Sequence, residues 1–250
     1  MRSIKSLSLA IVNRCLAPLE YKIVPASYGI GTYIDMAATV AGAKAKGQTV
    51  CEYIETLWDQ RGCTVRVIEE MKRSGCFAAL NNVVEIGPGT GRYLDFVLRE
   101  AKPTRYEIYE TASDWAGWLA ETYRPAVIRQ RPDGRTLRDT RSQSCELVHA
   151  HGVFVYLSLL NSFEYFSEIS RVLSPGGYLV FDLLPAAKFD EPTINRWLKT
   201  ENRYPVVLPD EHVRKYFAGK GFKLIHEFDN KYGEGHSHYF VFRRESASEN

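Results

Sequence analysis

Three alternating glycines form the strongest chemical signal in the sequence. They are Gly87, Gly89 and Gly91, and they follow the apolar pair Val83 and Val84. Glycine lets a backbone turn tightly and approach a ligand where any Cβ would collide. The first N–H groups of a following helix point at whatever lies in such a turn. The pattern therefore predicts a binding site for a nucleotide-like ligand.

The elements around these glycines read as a strand, a turn and a helix. The β-branched pair favours a buried strand, and apolar residues recur at helical spacing from Tyr93 to Leu98. The spacing differs from the dinucleotide fingerprint, whose third glycine allows close packing of helix on strand, because that position holds Arg92. A dehydrogenase is therefore disfavoured.

The run from Glu85 to Gly91 resembles the first motif of the class I S-adenosylmethionine-dependent methyltransferases. Further parts of that family pattern follow in order, namely a strand over 106–109 that leads to Glu110, the pair Asp133-Gly134, a strand over 147–150, and a turn and strand over 173–182. The resemblance covers about residues 80–244. It implies an α/β, Rossmann-like fold with a seven-stranded, mostly parallel sheet, helices on both faces and an antiparallel last strand.

The resemblance also implies that S-adenosylmethionine is the cofactor. The loop positions expected to bind it are Glu85, Gly87, Pro88, Gly89, Thr90 and Gly91. Glu110 lies roughly twenty residues beyond the last glycine, where a carboxylate accepts both ribose hydroxyls. Its alternative role is to cap the next helix. Asp133 and Gly134 lie where the family usually holds the adenine amino group, and a plain turn is the alternative there.

His151 is the predicted general base. In the resembling family its position, after the fourth strand, carries the residue closest to the transferring methyl. An imidazole with the ordinary pKa of about 6.5 suits removal of a hydroxyl proton. His149 lies two positions earlier on the same side of the strand and is the deeper alternative. Asp182, at the end of the fifth strand, is the second candidate, as a base, as a group that orients a histidine, or as a capping acid.

The predicted acceptor is a sugar hydroxyl. The strings at 107–112, 149–157 and 239–244 resemble bacterial methyltransferases that act on surface or storage glycans. The fifteen tyrosines and four tryptophans suit carbohydrate, although they suit other aromatic metabolites equally. The candidate substrate contacts are Tyr28, Tyr33, Tyr156, His236 and His238. The alternatives are a small-molecule O- or N-methyltransferase, and a non-catalytic S-adenosylmethionine-binding regulator, which the presence of His151 and Asp182 disfavours.

A divalent metal is a minor alternative at the same place. His236 and His238, together with His151 and Asp182, would offer imidazole and carboxylate ligands. Paired histidines on a hydrated strand end are the simpler interpretation, so the predicted site contains no metal.

Composition limits the partners and the compartment. A formal net charge of +2 over 250 residues gives no electrostatic footprint for nucleic acid. The five cysteines are scattered without C-x-x-C spacing, which fits reduced thiols in a cytoplasm. No apolar run is long enough to cross a bilayer. An amphipathic helix is predicted from Ile4, Leu7 and Ile11, with peripheral contact to the inner face of a membrane as an alternative. The sequence specifies no oligomeric state.

Three segments are predicted along the chain. Residues 1–79 read as a helical extension whose aromatic side chains are candidates for a lid over the cofactor. Residues 80–244 form the S-adenosylmethionine-binding methyltransferase domain. Residues 245–250 form a disordered tail.

Overall fold

The computed structural model of the protein describes residues 34–199, 205–232 and 235–246. Nearly all of them belong to the compact unit Met36–Asn250. The helices are α1 (Met36–Ala45), α2 (Val50–Leu57), α3 (Cys63–Arg73), α4 (Arg92–Ala101), α5 (Ser113–Thr122), α6 (Leu159–Val172), α7 (Glu191–Lys199) and α8 (Asp210–Gly219). The strands are β1 (Asn82–Ile86), β2 (Arg105–Tyr109), β3 (Val127–Arg129), β4 (Cys145–Ala150), β5 (Leu173–Pro185), β6 (Val207–Leu208), β7 (Phe222–Tyr232) and β8 (Gly235–Arg244).

The strands form one mixed sheet in the order β3-β2-β1-β4-β5-β8-β7, and β6 pairs with the end of β5. Strand β8 runs antiparallel to both of its neighbours, whereas β1 to β6 pair in parallel. This architecture confirms the α/β, Rossmann-like prediction with its antiparallel last strand. The structure adds β6 to the seven predicted strands, because a two-residue strand is too short to show a period of two in the sequence.

Two apolar layers sandwich the sheet. On the front face, defined as the side covered by α3, α4 and α5, residues such as Val83, Ile108 and Leu147 pack beneath the helices. On the back face, covered by α6 and α8, the core includes Phe166 and Phe217. Because side chains alternate across a strand, each position of β1, β4 and β5 belongs to a known face. Among the described residues, no helix has the length and apolar character that a bilayer crossing requires.

One helix boundary differs from the sequence prediction. The pattern predicts a helix over 161–173 that is capped by Asn161 or Ser162, but α6 begins at Leu159 and its cap is Ser158. The Ser158 hydroxyl accepts a hydrogen bond from the Asn161 backbone N–H at 3.5 Å. The helix therefore starts two residues before the predicted boundary, and its added residues Leu159 and Leu160 are exposed.

The sheet order reverses between β1 and β4, and this reversal fixes the place of the site. Helices that follow these two neighbouring strands leave on opposite faces, since α4 packs on the front and α6 on the back. A crevice opens at such a point, beyond the carboxyl ends of the strands, and it is where ligands of open α/β sheets bind. The glycine loop follows β1, and His151 follows β4.

Candidate active site

The glycine loop has the backbone that its sequence requires. Gly87, Gly89 and Gly91 have φ values of +63°, +52° and +77°, in the left-handed region that favours glycine. A Cβ at Gly87 would lie 2.8 Å from Val153, and one at Gly91 would collide with Leu119. At Gly89, by contrast, no atom of the described residues lies within 4 Å of such a Cβ. The space over Gly89 is therefore open toward a ligand.

Glu110 holds the loop to the next helix. Its Oε2 accepts a hydrogen bond from the Gly89 N–H at 2.8 Å, and its Oε1 accepts one from the Ala112 N–H at 2.8 Å. Ala112 is the N-cap residue of α5, so the carboxylate does contribute to that helix start. A carboxylate has about four lone-pair sites, and two of them stay available for ribose hydroxyls. Capping and ribose binding are thus compatible at Glu110.

Asp133 forms a local turn at the surface. Its Oδ1 accepts hydrogen bonds from the backbone N–H groups of Arg135 and Thr136, at 2.9 and 2.7 Å, and its Oδ2 accepts one from the Thr136 hydroxyl. Gly134 has a φ of +75° within this turn. The turn interpretation is thus realised in the structure, and a contact with adenine stays a prediction.

Four polar side chains form a hydrogen-bonded chain under the front face. The Tyr106 hydroxyl donates to Glu85 Oε2 at 2.7 Å, and the same hydroxyl lies 2.7 Å from His149 Nε2. His149 Nδ1 lies 2.9 Å from His151 Nε2. Register explains this alignment, because Glu85 and His149 are direct partners across β1 and β4. The chain leads from the buried Glu85 carboxyl to the carboxyl edge of the sheet.

The chain ends at an unsatisfied nitrogen. His151 Nδ1 is buried and has no hydrogen-bond partner among the described residues. The ring is held in place, since Tyr93 stacks on it with centroids 3.6 Å apart and Tyr239 lies 5.7 Å away. The two tyrosine hydroxyls are 3.4 Å apart. The structure therefore presents a stacked imidazole whose second nitrogen has no hydrogen-bond partner within the described part of the chain.

Burial changes the acidity of these groups. It lowers the pKa of His149 to about 3 and the pKa of His151 well below its usual value, since a buried imidazolium loses its hydration. The expectation of an ordinary imidazole pKa for His151 was therefore wrong. Burial raises the pKa of Glu85 to about 8, although the hydrogen bond from Tyr106 lowers it in part.

Asp182 also lies on the front face of the crevice. It is 1% exposed, and its Oδ1 accepts a hydrogen bond from the Gly152 N–H at 2.7 Å. Burial raises the pKa of its carboxyl to about 6, against the lowering effect of hydrogen bonds from Gly152 and from the Ser237 side chain. The carboxylate thus fixes the turn directly after His151.

The predicted hairpin histidines lie elsewhere. His238 pairs with Leu183 and its ring contacts Phe240, which places it on the back face, opposite Asp182 and His151. Its two nitrogens contact Asp229 at 2.7 Å and Glu227 at 2.9 Å. His236 is exposed on the same strand. The idea that these histidines join His151 and Asp182 around a metal was therefore wrong. Within the described ranges, no cluster of three or more metal-ligating side chains occurs.

The remaining substrate candidates divide in two. Tyr156 is half-buried against a small apolar cluster of Val155, Leu184 and Trp197 beside the carboxyl end of β5. Tyr28 and Tyr33 lie outside the described residues.

Sequence reasoning missed four residues around the crevice. They are Tyr93, Tyr106, Arg92 and Tyr239. The guanidinium of Arg92 lies over the rings of Trp58 and Tyr93, at 5.1 and 5.4 Å from their centroids. No local motif marks these residues, because strand register and helix packing bring them together.

Comparison with known proteins identifies the enzyme class. The family described as "Methyltransferase domain" matches residues 48–227. The chain belongs to this methyltransferase family. The chain thus contains an S-adenosylmethionine-dependent methyltransferase domain, as the run from Glu85 to Gly91 predicted.

One curated relative shares a low sequence identity with this chain. A malonyl-[acyl-carrier protein] O-methyltransferase from Marinomonas sp. (strain MWYL1) is 27% identical over 143 residues, which are 54% of this chain and 47% of that protein. The chain thus spans about half the length of the curated relative that it matches.

Two solved structures share the fold. Magnesium protoporphyrin IX methyltransferase from Synechocystis PCC 6803, solved with bound S-adenosyl-homocysteine, has a TM-score of 0.57 at 11% identity, covering 96% of this chain and 99% of that chain. N-methyltransferase NodS from Bradyrhizobium japonicum WM9, solved with the same ligand, has a TM-score of 0.51 at 15% identity, covering 72% and 87%. At these identities the likeness shows the fold alone.

The methyltransferase crevice fits its cofactor. The open space over Gly89, the left-handed loop and the adjacent Glu110 carboxylate match a ligand that carries a ribose and approaches the backbone closely. A side chain at Gly89 would occupy this open space.

Proposed function

We propose that this methyltransferase transfers a methyl group to a hydroxyl of its acceptor, with His151 as the general base. The observation that carries the proposal is the buried Nδ1 of His151, just beyond the carboxyl end of β4, which has no hydrogen-bond partner in the residues that the structure describes. A hydroxyl is a weak nucleophile and gains rate when a positioned base removes its proton. The stack with Tyr93 holds the imidazole in one orientation.

The proposed step moves one proton and one methyl group. The acceptor oxygen forms a bond to the methyl carbon while the bond from that carbon to sulfur breaks and leaves its electron pair on sulfur. The hydroxyl proton passes to His151 Nδ1. S-adenosylmethionine supplies the activated methyl group, and the residues of the crevice supply position and the base.

We assign cofactor contacts to the glycine loop and two acidic residues. The loop comprises Glu85, Gly87, Pro88, Gly89, Thr90 and Gly91. Its positive φ values and the open space at Gly89 support a close approach of the cofactor to the backbone. The free lone pairs of Glu110 support ribose binding. Asp133 and Gly134 are proposed near adenine from the family pattern alone.

We propose a sugar hydroxyl as the first acceptor to test. The sequence resemblance to glycan methyltransferases supports it. Tyr156 lies near the carboxyl end of β5 and stays a proposed contact. Asp182 is the alternative base if His151 only shapes the site.

A carboxylate acceptor is the second candidate. The partial match to a malonyl-[acyl-carrier protein] O-methyltransferase supports it, and so does the Arg92 guanidinium at the start of α4, a cation that binds carboxylates well. A carboxylate is already ionised near neutral pH and needs no base. The two candidates therefore differ in their dependence on His151.

One matched acceptor series separates the candidates. The series consists of three acceptors that share one sugar ring. A methyl glucoside presents only hydroxyl groups, its uronic acid adds a carboxylate, and its 2-amino analogue adds an amine. Methyl-labelled S-adenosylmethionine is incubated with each, and the product is identified by mass spectrometry. We expect O-methylation of the neutral glucoside, and His151→Ala is expected to lower its rate by about 10²–10⁴-fold. His212→Ala, on the exposed side of α8, is the control for loss of a histidine.

The outcomes assign the function. Methylation of only the uronic acid, at a rate that His151→Ala leaves unchanged, would replace the hydroxyl proposal with the carboxylate one. Hydroxyl methylation that survives His151→Ala and is lost in Asp182→Asn would move the base to Asp182.

A further inference from the structure

The four hydrogen-bonded side chains of Glu85, Tyr106, His149 and His151 have two self-consistent proton arrangements. With Glu85 ionised, the Tyr106 hydroxyl donates to Glu85, His149 Nε2–H donates to Tyr106, and His151 Nε2–H donates to His149 Nδ1. His151 Nδ1 is then a bare acceptor. With one more proton, every bond reverses, so that Glu85 is a neutral acid and His151 Nδ1 carries hydrogen. No buried imidazolium or tyrosinate occurs in either arrangement.

We propose that Glu85, Tyr106, His149 and His151 form a proton relay that stores the acceptor's proton on the buried Glu85 carboxylate. The inference rests on the proposed function, because it explains how the base assigned there works. It adds three residues to the reaction that do not touch the acceptor.

The relay balances proton by proton. The acceptor O–H bond breaks and an N–H bond forms at His151 Nδ1. The Nε2 proton of His151 passes to His149 Nδ1, the Nε2 proton of His149 passes to the Tyr106 oxygen, and the hydroxyl proton of Tyr106 passes to Glu85 Oε2. Each heavy atom keeps its normal valence, and the only net change is the neutralisation of Glu85. After the product leaves, the reverse sequence returns the proton to solvent through Nδ1.

The relay removes a difficulty that a lone histidine would face. Burial makes an imidazolium at His151 unfavourable, so the side chain by itself would be a weak base. The same burial favours the neutral acid at Glu85, whose pKa it raises to about 8. Transfer along the chain therefore ends on a group that accepts a proton readily near neutral pH, and the four residues titrate as one unit.

The charged groups around the relay come from several elements. Arg92 at the start of α4 acts on both ends of the relay and opposes protonation, whereas Glu110 at the end of β2 favours protonation of Glu85. Tyr93 from α4 and Tyr239 from β8 face the His151 ring and stay neutral, because burial raises their pKa values. Asp182 accepts the hydrogen bond from the Gly152 N–H, directly after His151, and its charge raises the pKa values of both tyrosines. The second Glu85 oxygen, Oε1, lies 3.9 Å from His149 Nδ1, which is too far for a direct hydrogen bond.

Nuclear magnetic resonance tests the relay without a substrate. The side-chain carboxyl carbon of Glu85 reports its protonation, and the ¹⁵N shifts of His149 and His151 show which ring nitrogen carries hydrogen. We expect both histidines to change from the Nδ1–H form to the Nε2–H form at the pH where Glu85 ionises. In Tyr106→Phe, Glu85 should titrate while the histidines no longer follow it. In Glu85→Gln, both histidine signals should become independent of pH.

Tyr109→Phe is the matched control. Tyr109 lies on the same strand as Tyr106, is 1% exposed, and bonds through its hydroxyl to Thr140 on the opposite face of the sheet. Tyr109→Phe therefore removes a tyrosine hydroxyl from a buried ring, as Tyr106→Phe does. We expect Tyr109→Phe to keep the coupled titration of the wild type.

Steady-state kinetics provide a second test of the relay. The rate for a hydroxyl acceptor should rise with pH through the Glu85 pKa of about 8, because only the ionised chain leaves Nδ1 bare. Tyr106→Phe should lower kcat by about 10²-fold while the dissociation constant of S-adenosyl-homocysteine changes less than about twofold. Histidine tautomers that stay fixed while Glu85 titrates would overturn the relay. An enzyme with the coupled titration but no hydroxyl product would instead overturn the proposed function.

Discussion

The ring of Tyr93 stacks on the imidazole of His151, with centroids 3.6 Å apart and ring planes 21° from parallel. Tyr93 is the second residue of α4, directly after the glycine loop, whereas His151 follows β4. The stack thus joins the two walls of the crevice, one that carries the proposed cofactor loop and one that carries the proposed base. Any shift of the loop moves the ring that fixes His151.

Replacement of Tyr93 should therefore affect rate more than binding. An aromatic stack contributes about 0.5–1.5 kcal/mol beyond simple burial, so Tyr93→Leu should lower kcat about two- to tenfold by letting His151 rotate. Tyr93→Phe keeps the stack and loses only the contact with the Tyr239 hydroxyl, and it should stay close to wild type. Steady-state kinetics of the pair measure this difference. Equal losses in Tyr93→Leu and Tyr93→Phe would show that the hydroxyl matters and the stack does not.

Two glycines of the loop should respond differently to alanine. Gly89→Ala and Gly91→Ala share the strain of a positive φ, about 1–3 kcal/mol. Only Gly91→Ala also places its Cβ against the buried Leu119, which should lower the free energy of unfolding by about another 1–3 kcal/mol. This variant should therefore unfold at a lower denaturant concentration than Gly89→Ala. Gly89→Ala should be more stable than Gly91→Ala. It should nevertheless bind S-adenosyl-homocysteine more weakly than the wild type, as measured by calorimetry. A Gly89→Ala protein with wild-type affinity would place the cofactor away from this loop.

The role of Glu110 can be separated from helix capping. Glu110→Ala should weaken cofactor binding by about 1.5–3 kcal/mol, because a charged acceptor of hydroxyl hydrogen bonds is lost. Glu52→Ala is the control, since Glu52 completes the capping box of α2 and is exposed. It should cost about 1 kcal/mol of stability and leave the affinity unchanged. Unchanged affinity in Glu110→Ala would restrict that residue to joining the loop and α5.

Asp182 should make stability depend on pH in a defined direction. Its folded pKa of about 6 exceeds the usual value of 3.8, so the folded state binds this proton more tightly than the unfolded state. The contribution is complete below about pH 4 and is lost as the pH rises through about 6. Asp182→Asn should therefore be more stable than wild type above pH 6, by up to about 3 kcal/mol, and equal to it near pH 4. Urea unfolding at both pH values tests this, and a difference that does not vary with pH would contradict it.

Much of the fold could be predicted because its signals are local. The glycine turn, the flanking strand and the helical spacing after Tyr93 lie within one short stretch, and they led to the correct fold class. Prediction failed where an element is too short to show a periodic pattern, or where it begins before its apolar pattern does. The two residues of β6 show no period, and Ser158 lies one turn ahead of the apolar pattern that marks α6.

The sequence by itself determined the loop, the order of the strands by family pattern, and the residue types at the strand ends. Tertiary structure decided which of those residues meet. Strand register placed His149 beside Glu85, and the alternation of side chains along β8 placed His238 on the face opposite Asp182. Burial then altered acidity, lowering the pKa of His149 and raising that of Glu85. Contacts between residues far apart in the chain and the loss of water around them exist only once the sheet is packed, which is why the chemistry of the four-residue chain could not be read from the sequence.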